Sequence, residues 1–249
     1  MRPFHVAFLV LAVTLAAGAA DKKSGGFRSL FNGKDLTGWH KNPAKIGHGT
    51  GGSWTVVDGA VVGRQDPPGN GGLMLSDEKF GNFEVMFDVW PDWGCDSGFF
   101  LRSNEKGQAY QIMIDYHDAG NVGEIYREGL DGQGFRSFQI DGVYDGKTLK
   151  DVQAKPEGGG QLNIDPAQWT KKVWKINRWN TIRARVEGNP PTITTWINGH
   201  LITKYTSDRK FEDKIGDTGS LAMQVHGGEK AWTPEGKIRF RNIKVKELQ

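Results

Sequence analysis

The chain has 249 residues, which is enough for one large β domain or two small ones. Its formal net charge is +3, and the Lys and Arg residues are scattered along the sequence rather than gathered into one basic patch. This distribution argues against nucleic acid as a partner. The single cysteine, Cys95, excludes an internal disulfide, and a lone Cys between Gly94 and Asp96 is more typical of a small buried residue than of a nucleophile.

Residues 1–20 are predicted to be a cleaved signal peptide. Arg2 gives a basic start, an apolar run extends from Val6 to Ala17, and the small residues Gly18 to Ala20 follow. The apolar run is shorter than the roughly 20 residues that a membrane-spanning helix needs, and no later stretch is long and apolar enough to span a bilayer. The sequence therefore predicts export to the periplasm or the medium, with residues 21–249 as one mature domain.

Short alternating runs that are interrupted by Gly, Asn and Asp dominate the mature chain, which predicts an all-β fold. Asp58-Gly59 and Asn198-Gly199 have the composition of tight hairpin turns. About a dozen short strands with such turns favour a sandwich of two antiparallel sheets, in which the first and last strands pair. The predicted strands are 53–57, 60–63, 83–89, 98–103, 110–116, 123–127, 179–186, 192–197, 201–205, 219–225 and 238–245.

Residues 145–175 interrupt this pattern. The segment contains Pro156 and three consecutive glycines, and we interpret it as a long excursion between strands. Pro166 follows Asp165 and suits the first position of a short helical turn.

Alternation within three of the strands places a set of polar side chains opposite an apolar face. These side chains hydrogen-bond with defined geometry, unlike the Lys, Glu and Thr that are typical of a solvated sheet face. A solvated face remains the alternative, but the composition favours a binding site. The set comprises Arg102, Gln111, Asp115, Gln224 and His226.

Three further residues are weaker candidates for ligand binding. Asp96 precedes a strand and either caps a turn or points into a cleft, while Glu124 and Tyr126 share one face of a short strand. His48, in a glycine-rich stretch, is interpreted as a loop residue.

Several common chemistries find no support in the sequence. It contains no H-E-x-x-H zinc motif, no G-x-S-x-G elbow and no dinucleotide fingerprint. A two-carboxylate retaining glycosidase would carry paired acids on one strand face, whereas the corresponding strand here carries Gln111 and Asp115.

Motifs along nearly the whole mature chain resemble the 3-keto-disaccharide hydrolase domain family. The resemblance covers about Gly26 to Leu248, and the opening and closing motifs together are specific. The motifs are Phe27 to Trp39, Asp58 to Val61, Asp96 to Arg102, Gln111 with Asp115, Asn177 to Asn180, Trp196 to Gly199, Gln224 to Gly227 and Phe240 to Ile243.

This resemblance implies a concanavalin A-like jelly-roll sandwich with a saccharide or keto-sugar ligand on its concave sheet, acting in bacteria outside the cytoplasm. Two positions depart from the family pattern. Ala109 stands where members often have Glu, and Asp96-Ser97-Gly98 stands where Asn-Ser-Gly is usual.

The chemistry expected of a 3-keto glycoside is β-elimination followed by hydration. We predict Asp115 or His226 as the base, with Arg102, Gln111 and Gln224 holding the sugar and its enolate. A divalent metal on Asp115, Glu124 and His226 is an alternative electrophile. A non-catalytic, lectin-like binding module is the rival function, because the same polar face would serve both.

Overall fold

The computed structural model describes residues 26–157 and 165–249, and most of this part of the chain is antiparallel β structure. The predicted signal peptide, residues 1–20, lies outside the described residues. Strands and short helices follow in chain order: β1 (Arg28–Ser29), β2 (Trp39–Lys41), β3 (Ser53–Val57), β4 (Ala60–Arg64), β5 (Gly72–Phe80), β6 (Phe83–Pro91), β7 (Gly98–Ser103), β8 (Ala109–Ile114), β9 (Val122–Glu128), β10 (Gly134–Phe135), β11 (Phe138–Asp145), β12 (Thr148–Pro156), a 3-10 turn (Pro166–Gln168), a π-helical turn (Trp169–Val173), β13 (Asn180–Glu187), β14 (Thr192–Ile197), β15 (His200–Thr206), β16 (Gly219–Val225), a 3-10 turn (Glu229–Ala231) and β17 (Ile238–Glu247).

Two large sheets face each other. The site sheet has the order β10-β9-β8-β7-β16-β5-β2, and the opposite sheet has the order β15-β14-β13-β6-β17-β4-β3, with β1 paired to β17. Strands β11 and β12 form a separate hairpin. The predicted all-β jelly-roll sandwich is confirmed, and the short first strand pairs with the last.

The core lies between the two sheets, where the inward side chains exclude water. Phe87 of β6 stacks on Phe99 of β7 with ring centroids 4.1 Å apart, and Phe240 of β17 lies 5.9 and 6.2 Å from them. Leu101 and Ile112 are also fully buried, as their strand alternation predicts. These contacts fix which face of the site sheet is left for a ligand.

The turn signals in the sequence are confirmed. Asp58 and Gly59 both have positive φ values, 49° and 75°, between β3 and β4. Asn198 and Gly199, between β14 and β15, also have positive φ values, 49° and 87°. Paired left-handed residues match the twist of the flanking strands, so these turns set the register of both hairpins.

The segment from 145 to 175 differs in part from its expectation. Its beginning forms β12, which pairs with β11, and neither strand was predicted. Only Val152 and Ala154 are buried along β12, so its alternation is too short to be read from the sequence. The predicted helical turn after Asp165 is present as the 3-10 turn that begins at Pro166.

No helix within residues 26–157 and 165–249 is both long and apolar enough to cross a membrane.

Candidate functional site

Two glutamines meet across a glycine on the outer face of the site sheet. Strand β7 lies between β8 and β16, and Gly98 of β7 leaves room above its backbone. A Cβ at position 98 would lie 2.2 Å from Gln111 Nε2. The absent side chain lets Gln111 Nε2 donate to Gln224 Oε1 at 3.0 Å.

His48 contacts this glutamine pair and Glu128 contacts His48, and neither was predicted as a site residue. Gln224 Nε2 lies 3.0 Å from His48 Nε2, and His48 Nε2 lies 3.4 Å from Glu128 Oε1. The His48 ring also meets the His226 ring edge-on, with centroids 4.5 Å apart. Gln111 and Gln224 are 4% and 0% exposed and lie beneath these contacts, and the substrate-binding role predicted for them stays a prediction.

Four ionisable side chains gather where β7 begins and β8 and β16 end. Because β7 is antiparallel to both neighbours, its first residues lie beside their last ones. Asp96 precedes β7, whereas Asp115 and His117 follow β8 and His226 follows β16. Backbone contacts hold the junction, including Tyr116 N–H to Cys95 O at 2.9 Å and His226 N–H to Asp96 O at 3.4 Å.

Asp96 and Asp115 lie close enough for each carboxyl to shift the pKa of the other. Burial raises the pKa of Asp115 well above its usual value, and the charge of Asp96 and its hydrogen bond to Asp115 raise it further. Burial, the largest single cause, acts to raise the pKa of Asp96, but the interactions with His117, His226 and Asp115 together lower that pKa. When the pair holds a single proton, these opposite shifts favour Asp115 over Asp96 as the group that carries it.

The two histidines beside this pair each place Nδ1 against a backbone carbonyl. His226 Nδ1 lies 2.6 Å from Gly227 O, and because a carbonyl only accepts, Nδ1 is the donor of this contact. His117 Nδ1 donates likewise to Asp118 O at 2.8 Å, with its Nε2 3.7 Å from Asp96 Oδ2. The contact with Asp96 raises the pKa of His117, which favours the imidazolium.

An open cleft of about 530 Å³ borders this group, within the size range of small-ligand sites. It is lined by Trp93, Gly94, Asp96, His117, Asp118, Lys230, Ala231, Trp232 and Thr233. The cleft thus exposes part of the acid–base group to a ligand beside two indole rings.

Arg102 does not belong to this site, contrary to the sequence prediction. Its backbone is left-handed, with φ 54°, next to a register shift on β16, so strict alternation fails there. Its guanidinium donates to Gly81 O and Gly188 O at 2.8 Å each and to Asn82 Oδ1 at 3.2 Å. It ties loops together near the end of β7 that is remote from Asp96.

Glu124 is also misassigned by the sequence pattern. It is fully buried and accepts hydrogen bonds from the Ser137 backbone N–H at 2.7 Å, the Ser137 hydroxyl at 2.6 Å and Asn121 Nδ2 at 2.8 Å. It therefore anchors the segment that leads into β11. Tyr126 pairs in register with Gln111 and is half-buried beside the site, where its predicted role in binding stays a prediction.

The suggested metal set of Asp115, Glu124 and His226 does not fit the geometry. Both carboxylate oxygens of Glu124 are occupied by Ser137 and Asn121. Across the two described ranges, no group of three or more His, Cys, Asp and Glu side chains is arranged to hold a metal ion.

The unpredicted site residues left faint traces in the sequence. His117 continues the alternation of Gln111 and Asp115. Glu128 lies directly opposite Ala109 in the strand register, so a carboxylate reaches that position from β9. His48 lies among glycines, and Gly227 packs so tightly on it that a Cβ there would come 2.1 Å from His48 O.

The two facing antiparallel sheets form a sandwich of the same fold as several solved carbohydrate-active proteins. A β-glucanase of Bacillus licheniformis superposes with a TM-score of 0.55 at 14% identity, covering 92% of this chain and all of that one. Carbohydrate-binding module CBM66 of Bacillus subtilis superposes with a TM-score of 0.50 at 12% identity, covering 84% and 96%. At these identities the likeness shows the fold alone.

Residues 26–246 match the 3-keto-alpha-glucoside-1,2-lyase-like domain family, and the chain belongs to that family. A relative in Bacteroides thetaiotaomicron, named 3-keto-disaccharide hydrolase, is 22% identical across 90% of this chain and 79% of its own length. The family resemblance predicted from the motifs is thereby confirmed.

Proposed function

We propose that this chain is an exported enzyme that cleaves 3-keto glycosides by β-elimination and hydration. One observation carries the proposal: Asp96, which lines the cleft, interacts with the buried carboxyl of Asp115 and accepts the His226 backbone N–H at its own carbonyl. Membership in the family and the name of the Bacteroides thetaiotaomicron relative support the substrate class.

The reaction needs a base and an acid on one substrate. A ketone at C3 acidifies the C2 proton, which His226 Nε2 accepts while the C2–H electrons form the enolate. The enolate then expels the C1 oxygen, which takes the proton of Asp115, leaving a C1–C2 double bond conjugated to the ketone. Water then adds its oxygen to C1 and gives a proton to Asp115, while His226 returns a proton to C2, which completes the hydrolysis and restores both groups.

The electrostatics match these roles. The sequence left Asp115 and His226 open as the base, and the raised pKa of Asp115 makes it the acid. Because His226 Nδ1 donates to Gly227 O, Nε2 is the ring nitrogen that we assign as the base. The contact with Asp96 raises the pKa of His117 and so favours its imidazolium form, whose charge opposes the negative charge that develops on the substrate.

A retaining glucanase mechanism fits less well. That mechanism needs one carboxylate on each side of C1, about 5 Å apart, with the nucleophile ionised and the acid neutral. Asp96 and Asp115 instead interact directly with each other, so they act on the substrate from one side.

The test is incubation of the mature protein with a 3-keto disaccharide and with its unoxidised parent, while released monosaccharide is measured. We expect release from the keto sugar alone, with deuterium incorporated at C2 when the reaction runs in D₂O. Asp115→Asn and His226→Gln should each lower kcat by about 10²-fold or more.

Two outcomes would contradict the proposal. Release from neither sugar by the wild type, with measurable binding, would support the lectin-like module instead. Full activity of Asp115→Asn would remove Asp115 as the acid.

Export is part of the same proposal. It is supported by the basic start and apolar run of residues 1–20. Expression of the full chain in a Gram-negative host should give a periplasmic product whose N-terminus lies near residue 21, whereas an uncleaved cytoplasmic product would contradict export.

A further inference from the structure

Trp93 forms one wall of the cleft, close to the acid–base group. It lies three residues before Asp96 and is half-buried. Tyr116 meets it edge-on, with ring centroids 4.9 Å apart and an interplanar angle of 83°. Trp232, the other cleft indole, is only 6% exposed and donates its N–H to Gly236 O, so Trp93 offers the more accessible ring.

Tyr144 holds the Trp93 ring from outside the sheet. Trp93 Nε1 donates to the Tyr144 hydroxyl at 2.6 Å, and that hydroxyl donates to Asp118 Oδ2 at 3.1 Å. Tyr144 itself is 45% exposed and contributes little to the core. An exposed tyrosine with both hydrogen-bonding functions engaged orients its neighbours rather than stabilising the interior.

The hairpin that carries Tyr144 is fastened to the rim of the cleft. Asp118 Oδ1 accepts from Gly142 N–H at 2.8 Å, and Asp141 Oδ1 accepts from Ala119 N–H at 3.0 Å. The Trp93 ring is therefore fixed on one side by the sheet and on the other by this hairpin, which lowers the ordering entropy that a ligand must overcome.

We propose that the Trp93 ring stacks on the apolar face of a second sugar ring, and that Tyr144 is its positioning residue. This rests on the proposed function, because the first ring must react beside Asp96 and Asp115. A substrate with only a small aglycone occupies the reacting position but makes no contact with the Trp93 ring. The site then selects 3-keto disaccharides over 3-keto glycosides with small aglycones.

The experiment compares kcat/KM for a 3-keto disaccharide and for methyl 3-keto-glucoside. Trp93→Ala should lower the disaccharide value about tenfold and the methyl glycoside value by less than about twofold. Trp93→Phe should restore most of the loss. Tyr144→Phe, which removes only the hydroxyl, should raise KM for the disaccharide while kcat stays unchanged.

Trp196→Ala is the matched control. Trp196 is a half-buried indole on the outer face of the opposite sheet, covered by the Arg183 guanidinium at 4.0 Å. It should leave both substrates unaffected.

Equal losses on both substrates, or none on the disaccharide, would overturn the stacking role while leaving the proposed function intact. If the wild type turns over neither substrate, the proposed function fails, and isothermal titration of the 3-keto disaccharide decides the stacking role separately. Weaker binding to Trp93→Ala than to Trp196→Ala would then sustain it, and equal or absent binding would overturn it.

Discussion

The raised pKa of Asp115 makes the stability of the folded protein depend on pH. The folded state raises the pKa of Asp115, since burial and the neighbouring charge of Asp96 favour its protonated form. The unfolded chain has an ordinary Asp pKa, near 4. Above that value the unfolded state loses its proton first, so this group makes folding less favourable as pH rises, up to its own folded pKa.

Asp115→Asn should therefore stabilise the protein increasingly as pH rises. The amide keeps a neutral side chain at that position and removes the pH-dependent loss. Thermal unfolding from pH 4 to pH 8 should show a Tm difference from wild type that grows with pH. A constant or shrinking difference would contradict the raised pKa of Asp115.

Asp96→Asn should move the alkaline limb of the activity profile. Burial still raises the pKa of Asp115 in this variant, but the second cause, the Asp96 charge, is gone. Asp115 then loses its proton at lower pH, and as the acid it stops working sooner. Measurement of kcat against pH should show the alkaline limb displaced to lower pH, whereas a limb that stays in place would separate Asp96 from the acid.

Elements with local signals were predictable, and elements fixed by distant contacts were not. The β3–β4 hairpin was predicted because Asp58-Gly59 determines its own turn. Strand β12 was not predicted because it has few buried residues, and these are buried by contacts with distant parts of the chain. Glu124 was assigned to a site because strand alternation predicts which face of the strand a side chain is on. Alternation does not predict that the segment around Ser137 covers Glu124.

Glu124→Ala should destabilise the attachment of the β11–β12 hairpin. The substitution leaves the Ser137 and Asn121 donors without their buried acceptor, at a cost on the order of 2–3 kcal/mol in the free energy of unfolding. Urea unfolding measures the loss, and limited proteolysis should show faster cleavage within residues 138–156. Glu105→Ala, at an exposed turn, is the control and should change neither.

Strand alternation in the sequence predicted only which side chains lie close together where the antiparallel pairing is regular. Gln111, Asp115, Gln224 and His226 lie near one another because the ends of β8 and β16 meet the start of β7. The prediction for Arg102 was wrong because its own left-handed backbone redirects its side chain, and no sequence pattern indicates that conformation. His48 was missed because a loop contact across 176 residues leaves no periodic trace.

The two sheets should unfold as one unit, because their aromatic core is shared. Phe99 of the site sheet packs on Phe87 and Phe240 of the opposite sheet. Phe99→Ala should lower the free energy of unfolding by about 3–5 kcal/mol, the usual result of deleting a buried ring that neighbours cannot replace. Urea unfolding followed by circular dichroism and by tryptophan fluorescence should give one coincident transition, shifted to lower denaturant concentration.

Phe27→Ala is the control, and because this ring is exposed, the substitution should leave the unfolding midpoint nearly unchanged. Separate transitions for the two probes would mean that the site sheet holds its shape independently of the opposite one, and the contacts across Phe99 would then not be what keeps Asp96, Asp115 and His226 together.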